Sequence, residues 1–531
     1  MKGKAGLLGT GRRWTRLALV GVLTLLVLGG ASLYLVFPGR GAQRVTPAPV
    51  QAMTFPKGFL WGVAIAGQQA ESVPASDWTK FETEVFRDHR FARGEKIGAT
   101  PPGDIHDFGR WSEAVRDHKA GFDLLHDQDI DAAADLGLNA FRVSIEWARL
   151  FPRAGMTQPD PEAIAYYHAI FAAMKRRGIE PVVTLFHYVS PVWFFEADAQ
   201  GKRGWERADA LALWQTYVDA VAQNFIPDVR IWCTLNEPMV YLYDGYVLGS
   251  YPPGEKRGDF AGAREVYAAL LRAHVQAYRV LHRVAASRGA TVSVGLTQNL
   301  QVFEPYHPYS PLDRVLAWVV DKAWNWDFLD AVANGRMRLT TTDIDLPIAD
   351  LAGTEDYVGV NYYSRNYVRG DWRHPIDPEV GTVAPDLPGE ERNDLGWPSY
   401  PHGFYEMLTK VAKRYGKPVM ILENGTADGA PDDQLRQRYL VAHVREAWLA
   451  QRDGVDLRSY VHWSLVDNFE WDEGFDARFG LFAVDYEHDF RRTARPSAAL
   501  YGEIAHANGL SPGILRRYLT NPGATAGAAG Q

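Results

Sequence analysis

The chain has 531 residues, 47% of them apolar and 23% charged, the composition of a folded globular protein rather than a disordered one. Its 56 Lys and Arg stand against 64 Asp and Glu, a net charge of -8, and this lack of a basic surplus argues against nucleic acid as a main partner. The single cysteine, Cys233, rules out an intramolecular disulfide and a cysteine-based structural zinc site.

In chain order, residues 1–16 come first, with five bases (Lys2, Lys4, Arg12, Arg13 and Arg16) and no acid. Residues 17–37 carry no charge and reach the roughly 20 residues that a helix needs to cross a bilayer. The positive-inside rule then predicts a single membrane anchor, with everything after it on the non-cytoplasmic side. A cleaved signal peptide, giving a secreted product, is the competing reading. Residues 38–52, rich in Pro, Gly and Ala, read as a linker. Residues 53–510 form one continuous folded domain, and 511–531 a tail whose end, from Asn521, lacks any apolar pattern.

Within the domain, short apolar runs alternate with stretches of helical spacing. The runs are residues 59–66, 140–147, 181–187, 229–236, 291–300, 357–364, 418–423 and 457–465. Several are continuous and rich in Val and Ile, as strands covered on both faces should be. Helical spacing over 161–177, 208–224, 262–287 and 434–452 separates them. Eight alternations predict an α/β fold, a single (β/α)8 TIM barrel. An open doubly wound sheet is the alternative, weakened because no GxGxxG turn follows any run. Residues 371–397, dense in Pro, Gly and charge, read as a long loop.

Polar residues cluster where the runs end. His187 closes the third, Asn236 and Glu237 the fourth, Asn361 and Tyr363 the sixth, Glu423 the seventh, and Arg142 lies inside the second. In a barrel these ends converge on one mouth. Two carboxylates there can bind a metal, share a proton or act on a glycosidic bond. No HExxH or EF-hand pattern accompanies them, whereas Gln69, Asn236, Asn361, Tyr363, Trp463 and Trp471 supply the amides and aromatics that bind sugars. The bland readings are a helix cap or ion pair for each acid, a satisfied core histidine for His187, core packing for the tryptophans and a small buried hydrophobe for Cys233.

The motifs FLWGVAIAGQQAE (59–71), FRVSIEWARLFP (141–152), TLFHYVSPVWF (184–194), TLNEP (234–238), DYVGVNYYS (356–364), LENG (422–425) and the stretch from VHWSLVDNFEW (461–471) to Tyr486 occur in one order. In this the chain resembles glycoside hydrolase family 1, the β-glucosidase and β-galactosidase family, and in details such as SIEW and ENGTAD its archaeal-type branch. The resemblance implies a retaining exo-acting β-glycosidase with Glu237 as acid/base and Glu423 as nucleophile, the two carboxyls about 5–5.5 Å apart. It implies Arg142, Tyr363 and Asn361 as support for the nucleophile. Gln69, His187, Asn236, Trp463, Glu470 and Trp471 would hold the sugar ring, with no metal and no cofactor. The substrate would be a small β-linked saccharide or an aryl or alkyl glycoside. A transglycosylase with the same residues, and a non-catalytic sugar-binding barrel, are the alternatives. Three positions depart from the family's pattern: Gln68 replaces an aromatic, Tyr188 replaces the Trp after His187, and VSP follows it. These changes are expected to bear on the glycone and to leave the acid and the nucleophile untouched.

Overall fold

Eight short runs of branched and aromatic residues become strands: β1 (Leu60–Ala64), β2 (Ala140–Ser144), β3 (Glu180–Phe186), β4 (Ile231–Asn236), β5 (Ser293–Asn299), β6 (Tyr357–Tyr362), β7 (Val419–Asn424) and β8 (Leu457–Trp463). The structure is a computed structural model that describes residue 37 and residues 51–83, 112–384, 387 and 389–520. Each strand's ends fall within three residues of its predicted run. They pair in chain order, every pair parallel, and β8 returns to β1 to close a barrel. The open-sheet alternative is thereby removed.

One main helix follows each strand: α1 (Phe122–Asp135), α2 (Pro161–Arg176), α3 (Ala210–Phe225), α4 (Arg264–Ser287), α5 (Asp327–Asn334), α6 (Pro401–Tyr415), α7 (Gln434–Arg452) and α8 (Pro496–His506). Their ends follow from local chemistry. The Asp160 carboxylate caps α2 by accepting from the amides of Glu162 and Ala163, with Pro161 in the first helical position, where no donor is missed. Pro401 opens α6, and Gly416, in the left-handed region at φ +62°, ends it.

The main core lies between the strands and the helices. A second cluster, Ala140, Val182, Cys233, Tyr357, Met420 and Leu422, comes mostly from the first halves of its strands. It fills the barrel interior beneath the mouth, so the interior is packed core and only the C-terminal end is open to chemistry. Cys233 is buried within it, and burial pushes its thiol up to about 11. At the opposite end Met53–Thr54 pairs antiparallel with Gly509–Leu510, tying together the two ends expected of the folded domain. The fold runs on into a short helix, Pro512–Leu515, capped by Ser511 and burying Ile514 and Leu515.

Two expectations are corrected. The stretch 371–397 is not all loop. His374–Gly381 is a strand antiparallel to Arg365–Asp371, which is also paired, in parallel, with Val302–Pro305. Two prolines in His374–Gly381 hid it, and both are tolerated because this strand is an edge. The second correction concerns the membrane. The expected span, residues 17–37, lies outside the described residues except for Phe37. Among the described residues no helix is long and apolar enough to cross a membrane. Even α4, with 24 residues, carries Arg264, Glu265, Arg272, Arg279 and Arg283, charges that a bilayer interior rejects. The membrane-anchored, non-cytoplasmic placement has no support among the described residues and is withdrawn.

Candidate active site

The barrel mouth gathers side chains from most of its strands. Glu423, next to last in β7, is 4% exposed. Its Oε1 is ion-paired with Nη1 of Arg142, which rises from β2, and its Oε2 accepts from the Tyr363 hydroxyl at 2.6 Å. Arg142 is itself fixed on every side. Its Nε donates to Thr184 Oγ1 at 3.0 Å, and its Nη2 to Asn236 Oδ1 at 2.7 Å. Burial opposes the guanidinium's charge, but Glu423 outweighs it and lifts Arg142 above its ordinary value. Burial and the charges of Glu423 and Glu237 push the Tyr363 hydroxyl well up, so it remains a neutral donor. Removing either member of such a buried pair strands the other charge, at about 3–5 kcal/mol.

Glu237 follows β4 directly. It sits in the left-handed region at φ 41°, its amide donates to Thr297 O at 2.8 Å, and Pro238 opens the next helix, Pro238–Leu242. A non-glycine residue held there costs conformational energy that the surrounding bonds must offset, a pattern common at active sites. Its Oε1 accepts from Asn361 Nδ2 at 2.7 Å, and its Oε2 from the Tyr188 hydroxyl. Burial first, then the charge of Glu423, pushes this carboxyl up to about 8. The two carboxyls are thus dressed in opposite ways. One is paired directly with a cation, and the other accepts from two neutral donors and feels its partner's negative charge more than the charge of Arg142.

The remaining predicted residues line the same pocket. Asn236 Oδ1 accepts from Arg142 and, at 3.2 Å, from Asn361 Nδ2, and the Asn236 amide nitrogen faces His187 Nε2, also 3.2 Å away. Burial first, then Arg142, holds His187 well below its usual range, so the neutral ring accepts at Nε2 and keeps its hydrogen on Nδ1. The His187 ring lies nearly parallel to those of Trp463 and Trp471, with centroids 6.0 and 5.9 Å away. Gln69 is fully buried. Its Nε2 donates to Phe469 O at 2.9 Å and to Glu470 Oε2 at 3.3 Å, while its Oε1 has no hydrogen-bond partner. Glu470 also accepts from Trp463 Nε1 at 3.4 Å. Its carboxyl is pushed up to about 8, first by burial and then by the charges of Glu423, Glu237 and Asp472, against the Trp463 hydrogen bond. Among the described residues no group of three or more His, Cys, Asp or Glu could hold a metal ion.

Two expectations change here. Asn361 pairs with Glu423 in the strand register, yet its amide reaches Glu237 and Asn236 instead. It supports the other carboxyl. Tyr188, expected to leave both acids untouched, bonds Glu237 directly. Sequence reasoning also missed three buried supports. Thr184 orients Arg142, and Thr297 Oγ1 donates to Asn361 Oδ1 at 2.9 Å. Asp467, bound through both oxygens by Arg495 and by the Gly480 amide, anchors the loop that carries Glu470 and Trp471. The inward-facing alternation along β3 and β5 could have flagged the threonines. Nothing in the sequence pairs Asp467 with Arg495.

Gly425 follows the second carboxylate strand at the point of closest approach to the pocket wall. A Cβ there would lie 1.9 Å from Trp463 O, a distance that only backbone movement relieves. Gly425→Ala is expected to lose about 1–3 kcal/mol of stability and to weaken sugar binding through Trp463. Thermal unfolding together with KM checks both; an unchanged midpoint and KM would contradict the packing.

The chain is similar to known proteins over most of its length. Glycosyl hydrolase family 1 matches residues 51–510. A β-glucosidase A from Thermotoga maritima is 31% identical over 474 residues, covering 86% of this chain and 98% of its own. A β-galactosidase from Sulfolobus acidocaldarius is 29% identical over 518 residues, covering 86% and 96%. Among solved structures, a β-glycosidase from Pyrococcus horikoshii superposes with a TM-score of 0.73 at 34% identity, covering 88% of this chain and 98% of that one. A Thermotoga maritima β-glucosidase in complex with castanospermine gives 0.71 at 30% identity, covering 86% and 99%.

Proposed function

The chain belongs to glycosyl hydrolase family 1, and from that premise we propose that the pocket cleaves β-linked glycosides with Glu423 as nucleophile and Glu237 as acid and base. The enzyme is an O-glycosyl hydrolase of the β-glucosidase and β-galactosidase kind, working by double displacement with retention. The observation that carries the residue roles is the opposite dressing of the two buried glutamates.

In the first step a Glu423 oxygen attacks the anomeric carbon, and the bond from that carbon to the leaving oxygen breaks. Glu237 gives its proton to that oxygen. Arg142 and Tyr363, one on each oxygen, hold Glu423 and aim it. Once Glu423 is an ester its charge is gone, so the force holding the proton on Glu237 weakens, and Glu237 becomes the base. In the second step Glu237 takes a proton from water as the water oxygen bonds to the anomeric carbon and Glu423 departs. Asn236, held by Arg142 and Asn361, faces the sugar ring at its 2-hydroxyl, Gln69 Oε1 accepts from a ring hydroxyl, and Trp463 covers the apolar face of the ring.

Glycone preference is the finer part of the reading. The relatives' names divide between glucosides and galactosides, and we propose that both are substrates. Full-length protein is assayed for nitrophenol release from nitrophenyl β-glucoside, galactoside, fucoside, mannoside and xyloside. The gluco and galacto compounds are expected to give the highest kcat/KM. No turnover of any of the five by folded protein would remove the reading.

A further inference from the structure

The residue after His187 turns away from the pattern of the family, and the structure shows where it goes. Tyr188 sits in the left-handed region at φ 69° and is 2% exposed. The loop just beyond it is clamped to Asp77, whose amide donates to Ser190 O at 2.8 Å and whose Oδ1 accepts from the Ser190 amide at 3.0 Å. The ring is wedged among His187, Trp471 and Tyr251, with centroids 5.1, 5.3 and 5.8 Å away. A ring so held has one place for its hydroxyl, and that place is Oε2 of Glu237.

We propose that Tyr188 is a positioning residue for Glu237, holding its carboxyl in place and supplying a donor that the ionised form needs when it acts as base. The proposal rests on the reading of Glu237 as acid and base. Its logic is one of balance. Glu237 is faced by Glu423 from β7, Arg142 from β2, Asn361 and Tyr363 from β6 and its following residue, and by Tyr188, Tyr251 and Glu470 from the loops. Burial and Glu423 favour the protonated form. The donors Asn361 and Tyr188, one on each oxygen, favour the carboxylate. After the first step the proton has left with the aglycone, and both oxygens of Glu237 still have their donors. A tyrosine hydroxyl also tolerates the protonated state, because it can turn and accept from the acid's O–H. It therefore serves both halves of the cycle.

The test uses full-length wild type, Tyr188→Phe and Glu237→Gln. Two quantities are read: kcat/KM against pH, and the ratio of breakdown to formation of the glycosyl-enzyme in a stopped-flow burst with a dinitrophenyl glycoside. Tyr188→Phe keeps the ring and removes only the donor. It is expected to move the alkaline limb up by about one pH unit and to lower the breakdown-to-formation ratio about tenfold. An infrared titration of the Glu237 carbonyl band, identified by its loss in Glu237→Gln, reads the same shift without turnover. An alkaline limb and a ratio equal to wild type would overturn the proposal, as would a limb that moves down. Undiminished turnover of poor leaving groups by Glu237→Gln is a separate result, and it would remove the acid/base reading itself.

Discussion

Replacing Glu423 with alanine is expected to lower kcat/KM by on the order of 10⁵ on every glycoside the wild type cleaves. The size follows from what is lost. In the proposed mechanism the Glu423 carboxylate, held by Arg142 and Tyr363, is the group that attacks the anomeric carbon, and water in its place would have no partner to take its proton from that side. A covalent route split into two lower barriers becomes one high barrier. The effect must be separated from unfolding, because Glu423→Ala leaves the Arg142 charge buried with Asn236, Thr184 and the Leu422 carbonyl as its remaining partners. Glu423→Gln keeps a carbonyl oxygen facing that guanidinium and holds the fold closer to wild type, while an amide cannot form the glycosyl ester. Both variants are assayed with the same nitrophenyl glycosides beside a thermal melt. Retention of activity within tenfold by a folded variant would mean that the chemistry does not run through this residue. A barrel that only bound sugars would show no such dependence.

Much of the barrel was legible in the sequence because parallel strands covered on both faces are written as continuous runs of apolar residues. Residues 181–187 and 418–423 read as strands without help from any long-range contact. The mouth was legible for the same reason, since a polar residue ending an apolar run has little place to go but the open end. Local pattern failed where geometry is set by partners distant in the chain. Asn361 stands beside Glu423 in register, yet the direction of its amide depends on Thr297 and Asn236, which lie one and two barrel strands earlier in the chain. Tyr188 is an aromatic replacing an aromatic, and only the clamp on Ser190 and the surrounding rings send its hydroxyl to Glu237. His374–Gly381 was hidden by prolines that an edge strand accepts. The membrane anchor was a composition argument on residues outside those described, and no described helix is long and apolar enough to cross a membrane.

Replacing Glu237 with glutamine is expected to produce a loss graded by the leaving group. The amide is close to isosteric, can accept from Asn361 through its oxygen and donate to the Tyr188 hydroxyl through its nitrogen, and cannot protonate a leaving oxygen. Positioned acids contribute about 10²–10⁴ in rate. Alkyl glycosides, whose departing alkoxide is a strong base, should lose about a thousandfold in kcat/KM, at the upper part of that range. Dinitrophenyl glycosides leave without a proton, so their first step should be nearly unaffected, and the covalent intermediate should accumulate because no base remains to activate water. A burst of dinitrophenol followed by a steady state far slower than that of the wild type is the signature. The pH profile carries the same information. In wild type Glu237 must hold its proton in the free enzyme, and burial with the Glu423 charge pushes it up to about 8. kcat/KM should therefore fall as the pH rises through that region. In Glu237→Gln that alkaline limb has no proton to report and should disappear. A limb that persists unchanged in the variant would assign it to another group, with Glu470, pushed up to about 8 in the same pocket, the next to test.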